Sequence, residues 1–403
     1  MSADLPATDV AVIGTGVAGL AAALGLSQLG LRVALVGPAP RMSPPTPAFD
    51  ARIYALSPAS LRLLESLRVW PQVDAQRVQA VQSMRVFGDA GRQLHFDAYA
   101  TAVDRLATII EERELLRVLA LGVELAPGVQ RVMAPMASLH MATDGVQVQL
   151  ADGSTLRAAL VIGADGADSG VRAAAGLTAE VVSYEQTAVV INLATAHQHD
   201  GVAWQWFTDE GVVALLPLPG RAVSLVWSAP AALAEQLQAL DPQALAERVG
   251  RRILATPDGQ GTRLGALQPL GEGASTSTTH AFRLRRLRVD RLTAPGIALI
   301  GDAAHVVHPL AGQGLNLGLQ DVSMLLHTLR TRENWRSVGD PVLLRRYARQ
   351  RAEAIDLMRW TTDGLARLFA LDDPLARRAR NAGMAVLDAF GPLKRALIRH
   401  AMG

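Results

Sequence analysis

The sequence predicts an α/β fold with two lobes and a C-terminal helical segment, on three observations. A strand, a glycine turn and a helix open the chain at 9–31. A run of short apolar strands with turn signals occupies Val181 to Trp227. A second strand, glycine-rich loop and helix follow around 296–330. The first and third units suit a parallel sheet, and the middle run suits a separate antiparallel one.

In the first unit, Asp9 to Ile13 reads as a strand and Gly14-Thr-Gly-Val-Ala-Gly19 as a tight turn. Leu20 to Leu29 reads as a helix that leads to a strand at Arg32 to Val36. This is the Rossmann-type dinucleotide fingerprint. Gly14 permits the turn, Gly16 admits phosphate to the backbone, and Gly19 lets helix and strand pack closely. One departure stands out: the acid expected after the second strand is replaced by Gly37. Val10 to Leu31 has no charged side chain and imitates a membrane span or signal. Its five glycines and the lack of Lys or Arg before it argue against both.

Pro38 to Pro47 reads as a loop, and a helix spans Pro58 to Leu67 with Ser57 as N-cap. Arg52, just upstream, is a candidate ligand contact weighed against a surface ion pair. Val81 to Phe96 alternates as a hairpin. Thr108 to Leu121 reads as a helix, with Glu111, Glu112 and Glu114 on its solvated face. A hairpin at 146–156 runs into the strand at Leu160, which ends in Gly163-Ala-Asp165-Gly166 with Ser169 and Arg172 beyond. A carboxylate there faces the ligand crevice of an open sheet, although Asp-Gly turns are common.

The middle lobe offers strands at 187–193, 203–208, 212–216 and 223–227. A helix over 231–254, broken at Asp241-Pro242, follows, and then a strand at 264–271. The last unit holds Gly301 to Asp321, where Asp302, His305, His308, Pro309, Gln313 and Asn316 gather around Gly312 and Gly314. A helix beginning there presents free N–H groups to an electron-rich ligand. His305 and His308 lack a clear third metal ligand and read as supports; no metal is expected. From Pro341 to His400 the chain reads as helical, with breaks at Pro374 and Pro392.

The 403 residues suffice for two domains, and 50% hydrophobic content argues against disorder. A net charge of +2 calls for no nucleic acid. Lys394 is the only lysine, and the arginines at 345, 346, 349, 351, 377, 378, 380, 395 and 399 read as solvated helix faces. Without cysteine there is no disulfide, thiolate site or cysteine nucleophile, which fits a reducing, cytoplasmic setting.

Taken in order, Gly14-x-Gly-x-x-Gly19, Gly163-Ala-Asp165-Gly166-x-x-Ser169-x-x-Arg172 and Gly301-Asp302-Ala-Ala-His305 with Pro309-x-x-Gly312-x-Gly314-x-Asn316 resemble the para-hydroxybenzoate-hydroxylase class of flavoprotein monooxygenases. His308 to Asp321, Arg52-x-x-Ala-Leu-Ser57, Tyr184-Glu-Gln186, Leu216-Pro-Leu218 and the C-terminal Pro392-Leu-Lys394 resemble in particular its ubiquinone-biosynthesis hydroxylases. The resemblance implies a discontinuous FAD-binding domain (1–74, 101–177, 276–330), an antiparallel substrate domain (75–100, 178–275) and a C-terminal helical segment (331–403).

It also implies non-covalent FAD, transient NAD(P)H, O2 and a prenylated aromatic substrate. The pyrophosphate would lie at Gly14, Gly16 and Gly19, with Arg52 on the nucleotide and Asp302 on the ribityl–phosphate region. Asp165 and Gly166 would touch both cofactors, and Gly312, Gly314, Leu315 and Asn316 would meet the flavin ring. Pro309, Gly314 and Asn316 are then the catalytic positions. Leu116 stands where relatives often carry a glutamine toward the flavin, a second departure. Val189, Ile191, Val213 and Leu215 are candidates for lining a tail tunnel, weighed against the plain core role that most such strand residues have. Other expectations are contact with biosynthetic-complex proteins or a homo-oligomer, and, for the C-terminal segment, either peripheral inner-membrane or partner-helix contact or packing onto the FAD-binding domain, without a transmembrane span. A non-catalytic scaffold and a flavin reductase of the same fold remain alternatives.

Overall fold

The computed structural model describes residues 5–40, 48–88, 93–142, 145–254, 261–271, 277–307 and 313–370, with side chains to 358. The first sheet is built on β1 (Thr8–Ile13), which pairs in parallel with β2 (Val33–Val36) and with β11 (Thr155–Gly163). β8 (Val129–Val132) extends it beyond β2. On the other side lie β19 (Ile297–Leu299) and the short β18 (Thr293–Ala294). β9 (Met136–Ala142) and β10 (Gly145–Leu150) form the hairpin that feeds β11. Val10, Val12, Leu160 and Ile162 face one side, while Ala11, Val161 and Leu299 face the other. A parallel sheet buried on both faces needs such uninterrupted apolar strands.

One face carries α1 (Val17–Gln28), α3 (Glu112–Glu124), α8 (Gln313–Arg330) and α9 (Pro341–Ala370). Gly25 of α1 fits against Leu326 of α8, where an added Cβ would lie 2.4 Å from Cδ1. The opposite face packs on α4 (Gly170–Ala174) and the hairpin. A small sheet joins β3 (Ile53–Leu56), β7 (Ala107–Glu111) and β4 (Val78–Val81). Next to it lies α2 (Pro58–Ser66), and Ser57 caps this helix as expected, its hydroxyl accepting from Ser60 N at 3.3 Å.

The third sheet runs β20-β17-β12-β15-β14-β13-β5-β6, with β16 (Leu267–Pro269) also on β12. Its centre is β12 (Ala179–Thr195), β13 (Val202–Thr208), β14 (Gly211–Leu218) and β15 (Ala222–Pro230), where the antiparallel strands were expected. β5 (Ser83–Phe87) and β6 (Gln93–Asp97) extend one edge; β17 (His280–Val289) and β20 (His305–Val306) extend the other. Two helices, α5 (Ala231–Ala239) and α6 (Pro242–Leu254), cover one face, and α7 (Gly261–Leu264) follows.

Several expectations are corrected. Residues 107–111 form β7, so the helix starts only at Glu112. Glu111 and Glu114 are buried rather than solvated. Glu111 pairs with Arg77 and Arg113 and accepts from Asp50 N, and Glu114 pairs with Arg117 and accepts from Asp74 N. Residues 264–266 end a helix and turn, leaving a strand only at 267–269. Val189, Ile191, Val213 and Leu215 pack into the core under α5 and α6, because alternation turns these positions toward the helices. Leu116 also points into the core beneath the first sheet. Among the described residues no helix is long and apolar enough to cross a membrane.

Candidate active site

The fingerprint is a backbone device. Gly14 has φ +118 and its N–H donates to Val36 O at 2.9 Å; a Cβ there would lie 2.2 Å from Ala164 O. A Cβ on Gly19 would lie 2.1 Å from Gly14 O, so helix and turn touch. Gly16 differs: nothing lies within 4 Å of its added Cβ, and α1 begins beside it without a side-chain cap. That leaves an open approach to unsatisfied N–H groups, the setting for a phosphate. Gly37 sits at φ +141, a conformation that an acidic residue would adopt only with strain.

The second motif adjoins the first through Ala164, whose N–H donates to Ile13 O at 2.8 Å. Asp165 spends its carboxylate within its own loop, accepting from Ser169 Oγ at 2.5 Å and Val171 N at 3.0 Å. Ser169 in turn caps α4 through Arg172 N. Any contact of Asp165 and Gly166 with a cofactor therefore runs through backbone and open space; Gly166 has nothing within 4 Å of an added Cβ. Arg172 ties this loop to the third motif, donating to Ala303 O at 3.0 Å.

In the third motif, Gly301 opens a turn at φ +59 beside Ala18 of α1. Asp302 reaches solvent although protein surrounds it, as on the floor of a cleft, and this desolvation raises its pKa. His305, Arg52 and Arg285 oppose the rise, while Glu112 adds to it. Gly314 has open space at its Cβ position in the first turn of α8. Gly318 packs on Gly301, 3.1 Å from an added Cβ to Cα.

Asn316 is buried and its side chain is fully engaged. Oδ1 accepts from Ser57 N at 2.8 Å and Ser60 Oγ at 2.7 Å, and Nδ2 donates to Ala55 O at 2.8 Å. It pins the start of α8 to the start of α2, so these contacts of its side chain go to protein rather than to a ligand. His308, Pro309, Leu310, Ala311 and Gly312 lie outside the described residues, as does the side chain of Gln313.

Arg52 is half-exposed, 3.2 Å from Glu112 and 5.3 Å above the Phe282 ring; Tyr54 donates to the same carboxylate at 2.8 Å. His305 is a support, as expected: Nε2 lies 2.7 Å from Asp321 Oδ2. No cluster of metal-ligating side chains occurs among the described residues. Sequence reasoning missed Glu112, the Asp168–Arg285 pair (two contacts of 2.9 Å) and Arg351, which is buried and bonded to Asp321 rather than solvated. For Arg351 a signal exists: Leu343, Tyr347 and Arg351 recur at four-residue spacing on one buried stripe of α9.

The three motifs thus line one crevice at the carboxyl ends of β1, β11 and β19, where an open α/β sheet binds its ligand. An FAD fits this arrangement. Tight glycines shape the turn, open glycines at 16, 166 and 314 leave room, and an accessible carboxylate lies between them. The family model for an FAD-binding domain matches residues 7–360, and the chain belongs to that family. Within it, the chain is an FAD-dependent monooxygenase of the para-hydroxybenzoate-hydroxylase class and falls with the ubiquinone-biosynthesis hydroxylases.

It is 35% identical to the Escherichia coli (strain K12) 3-demethoxyubiquinol 3-hydroxylase over 98% of both chains. It is 34% identical to the ubiquinone hydroxylase UbiL of Rhodospirillum rubrum, over 98% of this chain and 89% of that one. Among solved structures, PqsL of Pseudomonas aeruginosa, a probable FAD-dependent monooxygenase, superposes with a TM-score of 0.76. It is 25% identical, over 94% of this chain and 100% of that one.

Proposed function

We propose that this enzyme hydroxylates the aromatic ring of a polyprenylated phenol or benzoquinol intermediate in ubiquinone biosynthesis, using FAD, O2 and NAD(P)H. The observation that carries the reading is the crevice in which the fingerprint, the Asp165 loop and the Gly301–Asp302 turn interlock, joined to relatives whose names specify ubiquinol ring hydroxylation. The scaffold and reductase alternatives gain no support from it.

Bound FAD, reduced by a nicotinamide, supplies the oxygen activation. The protein binds and orients it. Gly16 and the uncapped first turn of α1 would present N–H groups and the helix dipole to the pyrophosphate, with Gly14 and Gly19 shaping the turn, and Arg52 would add positive charge. Asp302, an accessible carboxylate beside this turn, would accept from the ribityl hydroxyls. The first turn of α8, at Gly314, Leu315 and the Asn316 backbone, directs donors at the ring edge where negative charge develops; Pro309 and Gly312 belong to the same loop by sequence. Preorganised donors of this kind contribute about 3 kcal/mol each in other enzymes. The buried side chain of Asn316 acts on the reaction only by fixing that turn.

The same reading keeps the domain division given above. β5 and β6 joining the sheet of β12 to β15 supports it, whereas β17 pairs with β12 along most of its length and draws 280–289 toward the substrate side. Contact with a membrane or with biosynthetic-complex proteins is assigned to the C-terminal segment. Truncation before Pro374 is expected to lower membrane recovery, and unchanged partitioning of the folded remainder would reject that role.

The purified protein is expected to be yellow and to consume NAD(P)H faster when a prenylated phenol is added. Label from isotopic dioxygen is expected in the product ring. Turnover without label in the product would leave a reductase, and a flavin-free protein that takes up no FAD would overturn the whole reading.

A further inference from the structure

The C-terminal helix α9 grips all three parts of the strand–turn–helix unit from behind. Tyr347, fully buried, donates its hydroxyl to Leu299 O at the end of β19 (2.9 Å). One helical turn on, Arg351 is 3% exposed; its Nε donates to Asp321 Oδ1 at 2.6 Å and its Nη2 to Leu317 O at 3.1 Å. Asp321 is fully buried, and its other oxygen accepts from Gly301 N at 2.9 Å beside His305 Nε2. Gly301 is the residue immediately before Asp302. A buried carboxylate is stable only when its charge is matched and its lone pairs are filled, and here each partner fixes one component of the cofactor loop.

We propose that Arg351 is a positioning residue for the flavin. Through Asp321 it sets the Gly301–Asp302 turn and the first two turns of α8, so α9 is part of the cofactor site although it touches no cofactor. This rests on the reading of Asp302 and of the α8 first turn as flavin contacts.

The groups facing Asp321 are His305 and the Gly301 N–H from the loop, and Arg351 and Tyr347 from α9. Asp302, Arg52, Arg285 and Glu112 lie on the cleft side. With Arg351 present, the buried charge on Asp321 is matched by a guanidinium held at 2.6 Å. Without it, the carboxylate loses that counter-charge and the contact that orients it, so the Gly301–Asp302 turn and the flavin are held less tightly.

FAD release from the holoenzyme is measured by the rise in free-flavin fluorescence at neutral pH, together with the flavin reduction potential. Arg351→Leu is expected to release FAD at least tenfold faster than wild type and to shift the potential. Arg351→Lys keeps a charge beside Asp321 and is expected to release FAD only a few-fold faster than wild type. Tyr347→Phe, which removes one hydroxyl, is expected to give a shifted potential.

Wild-type release rates and potential in Arg351→Leu would overturn the proposal. If that chain does not fold, wild-type values in both Arg351→Lys and Tyr347→Phe would do so. A wild-type protein that takes up no FAD would instead reject the reading of the site, so the two failures are told apart.

Discussion

Two glycine-rich loops meet at the crevice, and they are held by opposite means. The Gly14–Gly19 turn is held by its own backbone and that of the neighbouring strand. Gly14 lies against Ala164, Gly19 lies against Gly14, and no side chain caps α1. The Gly301–Asn316 unit is held by side chains from far along the chain: Asp321 under the turn, Arg351 and Tyr347 from α9, and Asn316 reaching back to Ala55, Ser57 and Ser60. The first loop is therefore sensitive to any added atom, and the second to any lost hydrogen bond.

The sharpest way to break the comparison lies within the first loop. Gly14→Ala places a Cβ 2.2 Å from Ala164 O at φ +118, and backbone on both sides cannot yield. Its effect is expected to exceed by far the ~1 kcal/mol of a typical substitution and to leave no stably folded, FAD-loaded protein. Gly16→Ala meets nothing within 4 Å. Its flavin-free melting temperature is expected to match wild type, while FAD affinity falls roughly tenfold, about 1.4 kcal/mol. Equal melting losses in the two variants would show that Gly16 serves packing rather than ligand.

In the second loop, Asp321→Asn leaves Arg351 buried without a counter-charge, at an expected cost of about 3–5 kcal/mol in denaturant unfolding at pH 7. Asp321 also sets a pH dependence. Burial alone would raise its pKa, but His305, Arg351 and the Gly301 N–H hold it below the ordinary value of about 3.9. A carboxylate depressed in the fold stabilises above its unfolded pKa, and that contribution is lost as pH falls through its folded value. The wild type is thus expected to keep this contribution from pH 5 to 8 and to lose it below about pH 4, a loss that Asp321→Asn no longer shows.

What the sequence revealed follows the same divide. The fingerprint, the Ser57 cap and the central antiparallel strands were legible because each signal is local: glycine spacing, a hydroxyl before Pro58, alternation between turns. Asn316 could be marked as part of the site, but not as a clamp on α2, because its partners lie more than 250 positions away. Glu111 and Glu114 looked solvated because acids on a helix usually are; Arg113 and Arg117 are their neighbours in sequence, but Arg77 and the Asp50 and Asp74 N–H groups, which complete their burial, meet them only once the chain is assembled. β17 escaped notice because Arg283, Arg285, Arg286 and Arg288 disrupt its apolar alternation. Arg285, Arg286 and Arg288 pair across to Asp168, Glu180 and Asp356, so charge at those three positions serves pairing between elements.

A smaller expected effect comes from the Asn316 clamp. Asn316→Ala removes the hydrogen bonds to Ala55, Ser57 and Ser60 and leaves the buried Ser57 N–H without its Asn316 acceptor, which is expected to cost about 2–3 kcal/mol. Asn316→Asp keeps the two acceptor contacts but loses the donor to Ala55 O, and it is expected to melt between wild type and alanine unless the new buried charge dominates. Melting below alanine would show that desolvation of the charge outweighs the retained contacts.

The smallest effect tests whether a charge from outside both loops competes with the cofactor. Arg52 is assigned to the flavin nucleotide, yet Glu112 holds it at 3.2 Å, and the same carboxylate raises the pKa of Asp302. The pair is half-exposed, so its own contribution to stability is small, and Glu112→Gln is expected to leave the melting temperature near wild type. Freed from that pairing, Arg52 can turn its guanidinium wholly to phosphate, and Asp302 ionises against one fewer negative charge. Both changes favour FAD, so the dissociation constant is expected to fall two- to fivefold at low salt, with the gain shrinking as ionic strength rises. Unchanged affinity with salt-independent binding would place Arg52 with the surface ion pairs, and the pyrophosphate would then rest on the backbone of Gly14 to Gly19 alone.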